Sequence, residues 1–279
     1  MRRATPNSSS KIVKKIFLTG ARSGIGKAIA KAATEKGHEV WGTSRDISRI
    51  PSLRRLHCVQ LDLSNPDSID GAFNTALAEA GNFDVLINNA GSGHFGPAES
   101  LSEKEIASQF QILFFGHIQL MQLALAAMRG QGHGLIINIT SLASRLPVPF
   151  MAAYNAAKAA MAAFTMSLQL ELPDARVRIV DLQPADICTN FNDAVTRASR
   201  YDASYERRVA KTWDAVDRNL KNAPKPELVA ARVCQLIAGE APPPRLTVGD
   251  FFQGRVAPFI FRFLPQRVRI WGLKKYYGL

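Results

Sequence analysis

The chain has 279 residues, of which 47% are hydrophobic, and it carries three cysteines and a net charge of +12. This length and composition suit a globular protein with a sizeable core. The three widely spaced cysteines exclude a disulfide framework and a cysteine-based metal site, and no uninterrupted run of about 18 apolar residues occurs, so we expect no bound metal and no membrane-spanning helix.

The positive charge is concentrated at the two ends of the chain. Residues 1–15 have a surplus of +5 and residues 245–279 a surplus of +6, so the body between them is nearly neutral. A nucleic-acid-binding fold would carry its cations along one face of the body, and we therefore predict no nucleic-acid partner. Residues 1–14 lack an apolar signal region and are expected to form a flexible basic tail of a cytoplasmic protein.

After this tail the sequence alternates between strand and helix patterns. KIVKKIFLTG ends in a first strand, GIGKAIAKAATEKG predicts a helix that ends at Gly37, and HEVWGTSR and LHCVQLDLS predict the second and third strands. A helix that ends at Gly81 precedes the fourth strand, FDVLINNAG. Ser102 and Glu105 have the spacing of a capping box, which predicts a long helix from Ser102 to about Met128.

The second half continues the alternation. GLIINITS predicts a fifth strand, the alanine-rich MAAYNAAKAAMAAF a helix, and VRIVDLQPAD a sixth strand. Apolar runs such as VLIN and LIINI are typical of strands that are buried on both faces of a parallel sheet. We therefore predict an α/β fold, with a doubly wound (Rossmann) parallel sheet in a single domain over residues 15–246. Ligands of such sheets bind at the carboxyl ends of the strands.

The glycine-rich segment TGARSGIG, residues 19–26, lies between the first strand and the first helix. Gly20 permits a tight turn, Gly24 allows the backbone to approach a phosphate, and Gly26 lets the helix pack closely on the strand. The start of the helix also offers free N–H groups and a positive dipole end to a pyrophosphate. The segment therefore predicts a dinucleotide site.

The end of the second strand indicates which dinucleotide is bound. An acidic side chain at this position binds the ribose hydroxyls of NAD, whereas a basic one accommodates the 2′-phosphate of NADP. Ser44 and Arg45 occupy the position here, and Arg22 lies in the glycine turn. Because arginine offers a fork of donors to phosphate oxygens, these residues favour NADP(H). The alternative is that Arg45 merely pairs with Asp46 at the surface.

Three motifs occur in a fixed order along the chain. TGxxxGxG at 19–26 is followed by Asn-Asn-Ala-Gly at 88–91, and Ser141 stands thirteen residues before Tyr154, which begins a Y-x-x-x-K motif ending at Lys158. Together they resemble the short-chain dehydrogenase/reductase family, and the resemblance covers residues 15 to about 240. It implies a Rossmann fold, oxidoreductase activity, and Ser141, Tyr154 and Lys158 as catalytic residues.

The resemblance also implies which residues bind the cofactor. Asp62 and Leu63 would contact the adenine, and residues 184–189 resemble the family's P-G-x-I-x-T segment, which holds the nicotinamide carboxamide. The predicted cofactor-binding residues are Gly20, Arg22, Ser23, Gly24, Ile25, Gly26, Ser44, Arg45, Asp62, Leu63, Asn89, Ala90, Gly91, Tyr154, Lys158, Pro184, Ile187 and Thr189.

The chemistry of carbonyl reduction gives a reason for each catalytic residue type. A hydride added to carbon requires a proton on oxygen, which Tyr154 would donate. Free tyrosine has a pKa of about 10, and the Lys158 ammonium together with an oxidised nicotinamide would lower that value. Lys158 would also bind the nicotinamide ribose, and Ser141 would orient the substrate oxygen. The hydride chemistry belongs to the cofactor.

Two positions depart from the family pattern. Ala185 stands where glycine is usual, which is a mild change. Leu113 replaces the usual asparagine, which anchors a water that relays protons from the lysine, and leucine cannot bind water in that way. We therefore expect activity to be slowed rather than absent. His117 lies one helical turn further on, and it either relays protons instead or is simply a packing or surface residue.

These inferences predict an NADP(H)-dependent oxidoreductase that interconverts a carbonyl and an alcohol on a lipophilic, steroid- or retinoid-like ketone or aldehyde. Residues 193–225 fall where the family places its substrate lid, and Tyr201, Tyr205 and Trp213 either line the substrate site or pack the lid onto the body. The alternatives are a 3-oxoacyl thioester reductase and a catalytically weak NADP(H)-binding sensor or scaffold, which Leu113 would suit. We also expect a homo-oligomer.

Residues 247–279 form a basic, aromatic-rich C-terminal extension. Arginines and lysines alternate there with eight aromatic residues, from Phe251 to Tyr277. An amphipathic stretch of this composition suits the surface of an anionic bilayer, with its rings at the level of the headgroups. We therefore predict peripheral membrane contact or contact with a lipid substrate. The alternative is that the aromatic residues fold back onto the body or onto a partner subunit.

Overall fold

The computed structural model describes residues 12–173 and 176–279, so most of the predicted basic tail lies outside the described residues. Seven parallel strands form the central sheet, in the order β3-β2-β1-β4-β6-β7-β9. They are β1 (Lys15–Leu18), β2 (Glu39–Ser44), β3 (Leu56–Gln60), β4 (Val85–Asn88), β6 (Gly134–Ile139), β7 (Val177–Pro184) and β9 (Arg245–Val248). The predicted doubly wound parallel sheet is confirmed.

Helices cover both faces of this sheet. On one face lie α1 (Gly24–Glu35) and α7 (Glu227–Ala238), and on the other α2 (Pro66–Ala80), α4 (Gly116–Gln131) and α5 (Ala152–Glu171). The remaining elements are β5 (Gly93–Phe95), β8 (Val195–Arg197), α3 (Glu103–Phe110), α6 (Glu206–Asn222), α8 (Ala257–Phe263) and α9 (Gln266–Tyr276). The short strands β5 and β8 pair with each other outside the main sheet.

Each face of the sheet has its own apolar core. Alternate side chains of β1 point to opposite faces, as the pleat of a strand requires. Ile16 packs with α1 and α7, whereas Phe17 packs against Phe73 of α2 and Phe83, with ring centroids 5.3 Å apart in both pairs. Burial on both faces explains why β1, β4 and β6 are continuous apolar runs in the sequence.

The long helix predicted from Ser102 is present but interrupted. Its capping box is confirmed, since the Ser102 hydroxyl accepts from the Glu105 amide while the Glu105 carboxylate accepts from the Ser102 amide. A π-helical turn at Gln111–Phe115 separates α3 from α4. The whole stretch Glu103–Gln131 is 29 residues long and contains an 18-residue segment with a mean hydropathy of 1.4. By length and composition alone, it could cross a membrane. Its α4 part packs in the core through Leu120 and Met128.

The strands β5, β8 and β9 were not predicted, because their sequences GHF, VTR and RLTV lack the continuous apolar run that marks β1 and β4. The most consequential is β9, which pairs in register with β7 so that Arg245 lies beside Asp181. The predicted end of the domain at residue 246 falls inside this strand. The extension therefore leaves the sheet after Val248.

Candidate active site

A cleft of about 890 Å³ lies at the carboxyl ends of the strands, around β1 and β4. The strand order reverses between these two strands, which is where open α/β sheets bind their ligands. Every predicted catalytic and cofactor-binding residue lines this one cleft. The fold thus brings together residues that are separated by as much as 169 positions, from Gly20 to Thr189.

The glycine turn at one end of the cleft is shaped by close backbone contacts. Gly20 and Gly24 have φ angles of +76° and +54°, a region that favours glycine. A Cβ atom on Gly26 would lie only 2.1 Å from the Gly20 carbonyl oxygen. The turn therefore has no room for a side chain at Gly26, and it leaves backbone N–H groups at the start of α1 free to face a ligand.

Thr19 and Asn89 tie this turn to the end of β4. The Thr19 hydroxyl accepts from the backbone amides of Asn89 and Ala90, at 2.8 and 2.9 Å. The Asn89 side chain in turn donates to the Thr19 carbonyl at 2.9 Å. These bonds give the Asn-Asn-Ala-Gly motif a structural role in holding the turn, in addition to its predicted contact with the cofactor.

Three arginines line the same end of the cleft. Arg22 and Arg45 were predicted, whereas Arg49 was missed. It is brought in by a 3₁₀ turn at Ile47–Arg49, whose N-cap Asp46 accepts from the Ser48 amide at 3.1 Å. The Ser48 hydroxyl, followed by the charges of Arg49 and Arg22, lowers the pKa of Asp46. Among the described residues no ion pair joins Arg45 to Asp46.

The three predicted catalytic residues meet at the other end. Ser141 follows β6 and caps a short 3₁₀ turn by accepting from the Ala143 amide at 3.1 Å. Tyr154 and Lys158 lie one turn apart on α5, with the Lys158 Nζ 5.9 Å from the centre of the Tyr154 ring. The same Nζ donates to the Ile139 carbonyl at 2.8 Å, which fixes the lysine against the end of β6.

Burial is the main cause of the pKa shifts of Tyr154 and Lys158. It lowers the pKa of Lys158 to about 8, against the opposing charge of Asp181. It also raises the pKa of Tyr154, and a hydrogen bond with Ser141 only partly opposes this effect. The pKa of Tyr154 lies above its ordinary value because desolvation of the phenolate outweighs the nearby hydroxyl, whereas the lowering expected from the sequence also depends on the charge of an oxidised nicotinamide.

A buried carboxylate lies behind Lys158. Asp181 of β7 is 2% exposed and accepts hydrogen bonds from Thr140 at 2.5 Å, Gln183 at 2.7 Å and Arg245 at 2.8 Å. Its charge raises the pKa of Lys158 and so keeps the ammonium form more accessible. Sequence reasoning missed this residue, although the polar residues Asp181 and Gln183 at the end of the apolar strand VRIVDLQP were a usable signal.

Leu113, which replaces the usual asparagine, and His117 lie close together on the long helix and are both buried. Leu113 lies in the π-helical turn and is fully buried, with its Cδ2 atom 3.0 Å from where a Cβ of Gly91 would be. His117 is 2% exposed, and its Nε2 lies 3.5 Å from the Thr19 hydroxyl. Burial lowers the pKa of His117 to about 3. Neither side chain is among the described residues that line the cleft, which favours the packing role for His117.

The predicted lid aromatics mostly pack the lid onto the body. The Trp213 ring of α6 lies 4.8 Å from that of Phe95, and the Arg197 guanidinium stacks 3.7 Å above it. Tyr201 and Trp213 line a separate cavity of about 230 Å³. Tyr205 packs against Phe150 at 6.3 Å. The residues of the 193–225 segment that do line the main cleft are Asp193, Ala194, Val195, Thr196, Val216, Asn219 and Leu220.

Comparison with known proteins identifies the family. The model of the short chain dehydrogenase family matches residues 14–200 of this chain. A 3-ketodihydrosphingosine reductase from Bacteroides thetaiotaomicron is 30% identical over 266 residues, covering 95% of this chain and 98% of the relative.

Solved structures agree with this assignment. A short-chain dehydrogenase from Streptomyces avermitilis superposes with a TM-score of 0.82 at 28% identity, covering 95% of this chain and 97% of its own. A serine dehydrogenase in its closed form, complexed with NADP⁺, gives 0.73 at 25% identity, with 87% and 97% of the two chains covered. This chain is therefore an oxidoreductase of the short-chain dehydrogenase/reductase family.

Proposed function

We propose that this protein is an NADP(H)-dependent oxidoreductase that interconverts a carbonyl and an alcohol on a lipophilic substrate. One observation carries the proposal. A single cleft is lined by Ser141, Tyr154 and Lys158 at one end and by the glycine turn and three arginines at the other. That is the arrangement needed to present the nicotinamide end of a dinucleotide to a proton donor.

The residues present fit an NADP(H) molecule. The turn at Gly20–Gly26 forms a cradle that a Cβ at Gly26 would fill, beside the free N–H groups at the start of α1. Arg22, Arg45 and Arg49 offer their guanidinium groups to a 2′-phosphate. The Asp46 carboxylate lines the cleft as well, but it accepts from the Ser48 amide and hydroxyl, which leaves the cationic side chains dominant.

The chain's own side chains would donate the proton and position the substrate and the cofactor. The raised pKa of Tyr154 keeps its phenol protonated at neutral pH, so it can donate to a carbonyl oxygen. Ser141, hydrogen-bonded to Tyr154, would hold and orient that oxygen. Lys158, fixed by the Ile139 carbonyl, would bind the ribose hydroxyls of the nicotinamide. The bound nicotinamide supplies the hydride in reduction.

Two observations support a lipophilic substrate. Met151, Phe191 and Val195 line the cleft beside Tyr154, and the Phe191 and Tyr154 rings lie 5.6 Å apart. In addition, the relative named as a 3-ketodihydrosphingosine reductase matches 95% of this chain, which includes most of the C-terminal extension. These points favour a long-chain ketone over a 3-oxoacyl thioester.

A substrate panel tests the proposal. NADPH consumption by the purified full chain is followed with 3-ketodihydrosphingosine, methyl ketones, aldehydes and a 3-oxoacyl thioester. We expect the lipophilic ketones to be reduced fastest and Tyr154→Phe to lower kcat by about 100-fold or more, with NADPH affinity retained. Fastest turnover of the thioester would favour the alternative reductase. NADPH binding without turnover of any carbonyl would favour a sensor, the candidate that Leu113 supports.

We also propose that the chain forms a homo-oligomer. Phe115, Met166 and Leu170 are 53%, 51% and 82% exposed on the π-helical turn and on α5. Exposed apolar side chains on neighbouring helices are suited to a symmetric contact with a second copy. Light scattering during gel filtration measures the mass directly, and a monomer at micromolar concentration would contradict this proposal. Leu170→Lys should weaken the assembly.

We further propose that the C-terminal extension makes peripheral contact with an anionic membrane and that the protein is otherwise cytoplasmic. Its exposed apolar residues are Phe251, Phe252, Phe259, Ile260, Phe263, Val268, Ile270 and Trp271, each at least 41% exposed. Residues 251–279 hold six cations and no acidic residue. In a symmetric contact between two copies, the cations of one extension would lie opposite those of the other and repel them. Anionic lipid headgroups would instead neutralise these cations.

Co-sedimentation with vesicles tests the membrane contact. We expect binding to vesicles that contain phosphatidylserine, weaker binding to phosphatidylcholine alone, and a loss of binding in the triple variant Phe259→Ser, Phe263→Ser, Trp271→Ser. Ile106→Ser is the matched control, since it removes an exposed apolar side chain of α3 that belongs neither to the extension nor to the proposed oligomer contact. Truncation at residue 245 is unsuitable, because it removes β9 from the sheet. Equal partitioning of wild type and the triple variant would contradict the proposal.

A further inference from the structure

The last residues of the chain return to the catalytic cleft. Although most aromatic residues of the extension are exposed, Tyr277 is only 7% exposed and lines the cleft together with Asp186 and residues Val216, Asn219 and Leu220 of α6. It follows the end of α9 directly, and Gly278, with a φ of +73°, terminates the helix. The chain end is thus part of the cleft wall.

A hydrogen-bond cluster fastens this chain end in place. The Tyr276 hydroxyl accepts from Asn219 of α6 at 3.0 Å and from Gln253 at 2.9 Å, and it donates to Asp186 at 3.4 Å. Gln253 also holds Asp186 at two points, donating to its carboxylate at 2.7 Å and accepting from its amide at 3.0 Å. The end of α9 is therefore joined both to the lid helix and to the loop after β7.

Tyr276 also positions its neighbour. The rings of Tyr276 and Tyr277 pack edge to face with centroids 4.9 Å apart. Burial, followed by the charge of Asp186, raises the pKa of Tyr277, so its phenol is neutral. A neutral phenol offers a flat apolar face and one hydroxyl that can donate or accept. Such a wall suits an elongated apolar ligand.

We infer that Tyr277 is a specificity residue of the substrate site, where it contacts the apolar chain of the substrate, and that the Tyr276 cluster is the device that holds it there. This inference rests on the proposed function, because it assumes that a lipophilic carbonyl compound occupies the cleft. It adds a residue that lies outside the family motifs, at the far end of the chain.

The test uses methyl ketones of increasing length, from butanone to methyl octyl ketone, with the full chain. We expect Tyr277→Ala to raise KM for methyl octyl ketone on the order of tenfold, as the loss of an aromatic contact implies, and to leave KM for butanone and the Kd for NADPH within about twofold. Tyr277→Phe should keep the preference for the long ketone, and Tyr276→Phe should weaken it. Trp271→Ala, on the exposed face of α9, is the matched control.

Each outcome decides the inference. An unchanged ratio of KM values in Tyr277→Ala, or an equal loss of affinity for NADPH, would overturn it, the latter because Tyr277 would then contact the cofactor. If wild type reduces none of the ketones, the proposed function fails separately. Calorimetric titration of methyl octyl ketone into wild type and Tyr277→Ala then decides, since equal binding or no binding at all overturns the inference.

Discussion

The glycine turn before α1 and the C-terminal extension are both basic, yet they are built in opposite ways. At the turn the backbone packs to contact distance, so that a Cβ on Gly26 would lie 2.1 Å from a carbonyl oxygen. In the extension a Cβ on Gly272 would meet no atom within 4 Å, and Phe259, Phe263 and Trp271 are at least 63% exposed. One region is shaped around a ligand inside the cleft, and the other presents its side chains outward.

A local sequence pattern specifies the structure of the glycine turn much more fully than that of the extension. Glycine spacing at the turn is required by backbone geometry, which depends only on residues close in sequence. In the extension, aromatic residues differ in their exposure, since Tyr277 is buried in the cleft whereas Trp271 is 63% exposed. Packing against α6 and the loop after β7 separates them.

A methyl group added to one glycine of each region should have opposite effects. Gly26→Ala should abolish NADPH binding and lower the free energy of unfolding by about 1–3 kcal/mol, because the new Cβ overlaps the Gly20 carbonyl. Gly272→Ala, inside α9, should leave NADPH binding unchanged and raise stability by about 0.5–1 kcal/mol. Denaturant unfolding and NADPH fluorescence measure both. A Gly26→Ala protein that binds NADPH normally would refute the close-packed description of the turn.

The cations of the two regions should differ in what they bind. Arg45→Ala should weaken NADPH binding by roughly tenfold to a hundredfold, the equivalent of about 1.5–3 kcal/mol for a hydrogen bond to a charged group, and leave NADH binding nearly unchanged. Arg267→Ala, at an exposed position of α9, should leave both affinities unchanged. Equal losses for NADPH and NADH in Arg45→Ala would rule out its contact with the 2′-phosphate. Arg49→Ala should behave like Arg45→Ala.

Replacing an apolar residue with asparagine should lower stability in the interior of the protein and have little effect on the exposed face of the extension. Leu113→Asn places an amide in a fully buried position against Gly91 and should lower the free energy of unfolding by about 1–3 kcal/mol. It should leave NADPH affinity unchanged and hold or raise kcat, if the family's asparagine serves proton relay. Ile270→Asn, at a position 47% exposed, should change stability by less than about 0.5 kcal/mol. A fall in kcat for Leu113→Asn would show that the leucine itself is required.

The smallest expected effect is a pH dependence of stability. Burial lowers the folded-state pKa of Lys158 to about 8 from an ordinary value of 10.5, so the unfolded chain binds more protons between these values. The free energy of unfolding should therefore rise with pH, by about 1 kcal/mol from about pH 7 to about pH 9. Lys158→Met should remove this rise and Lys274→Met, at an exposed position, should not. Identical pH profiles of Lys158→Met and wild type would contradict the assignment.

The sequence alone determined the parallel sheet, the glycine turn and the presence of Ser141, Tyr154 and Lys158 in one site. These features depend on short-range rules. Apolar runs specify buried strands, the glycines permit a positive φ, and a spacing of four on a helix places Tyr154 and Lys158 on one face. The predicted residues line one cleft because parallel strands end at one edge of the sheet.

Contacts between segments far apart in the sequence determine which further polar and aromatic residues join that site. Arg49 enters through a capped 3₁₀ turn, Asp181 through pairing of β7 with β9, and Tyr277 through the hydrogen bonds of Tyr276. The direction of the Tyr154 pKa shift was also decided there, since burial outweighs the hydrogen bond from Ser141. Such outcomes depend on contacts between distant segments and on the exclusion of water, neither of which a local pattern of residues encodes.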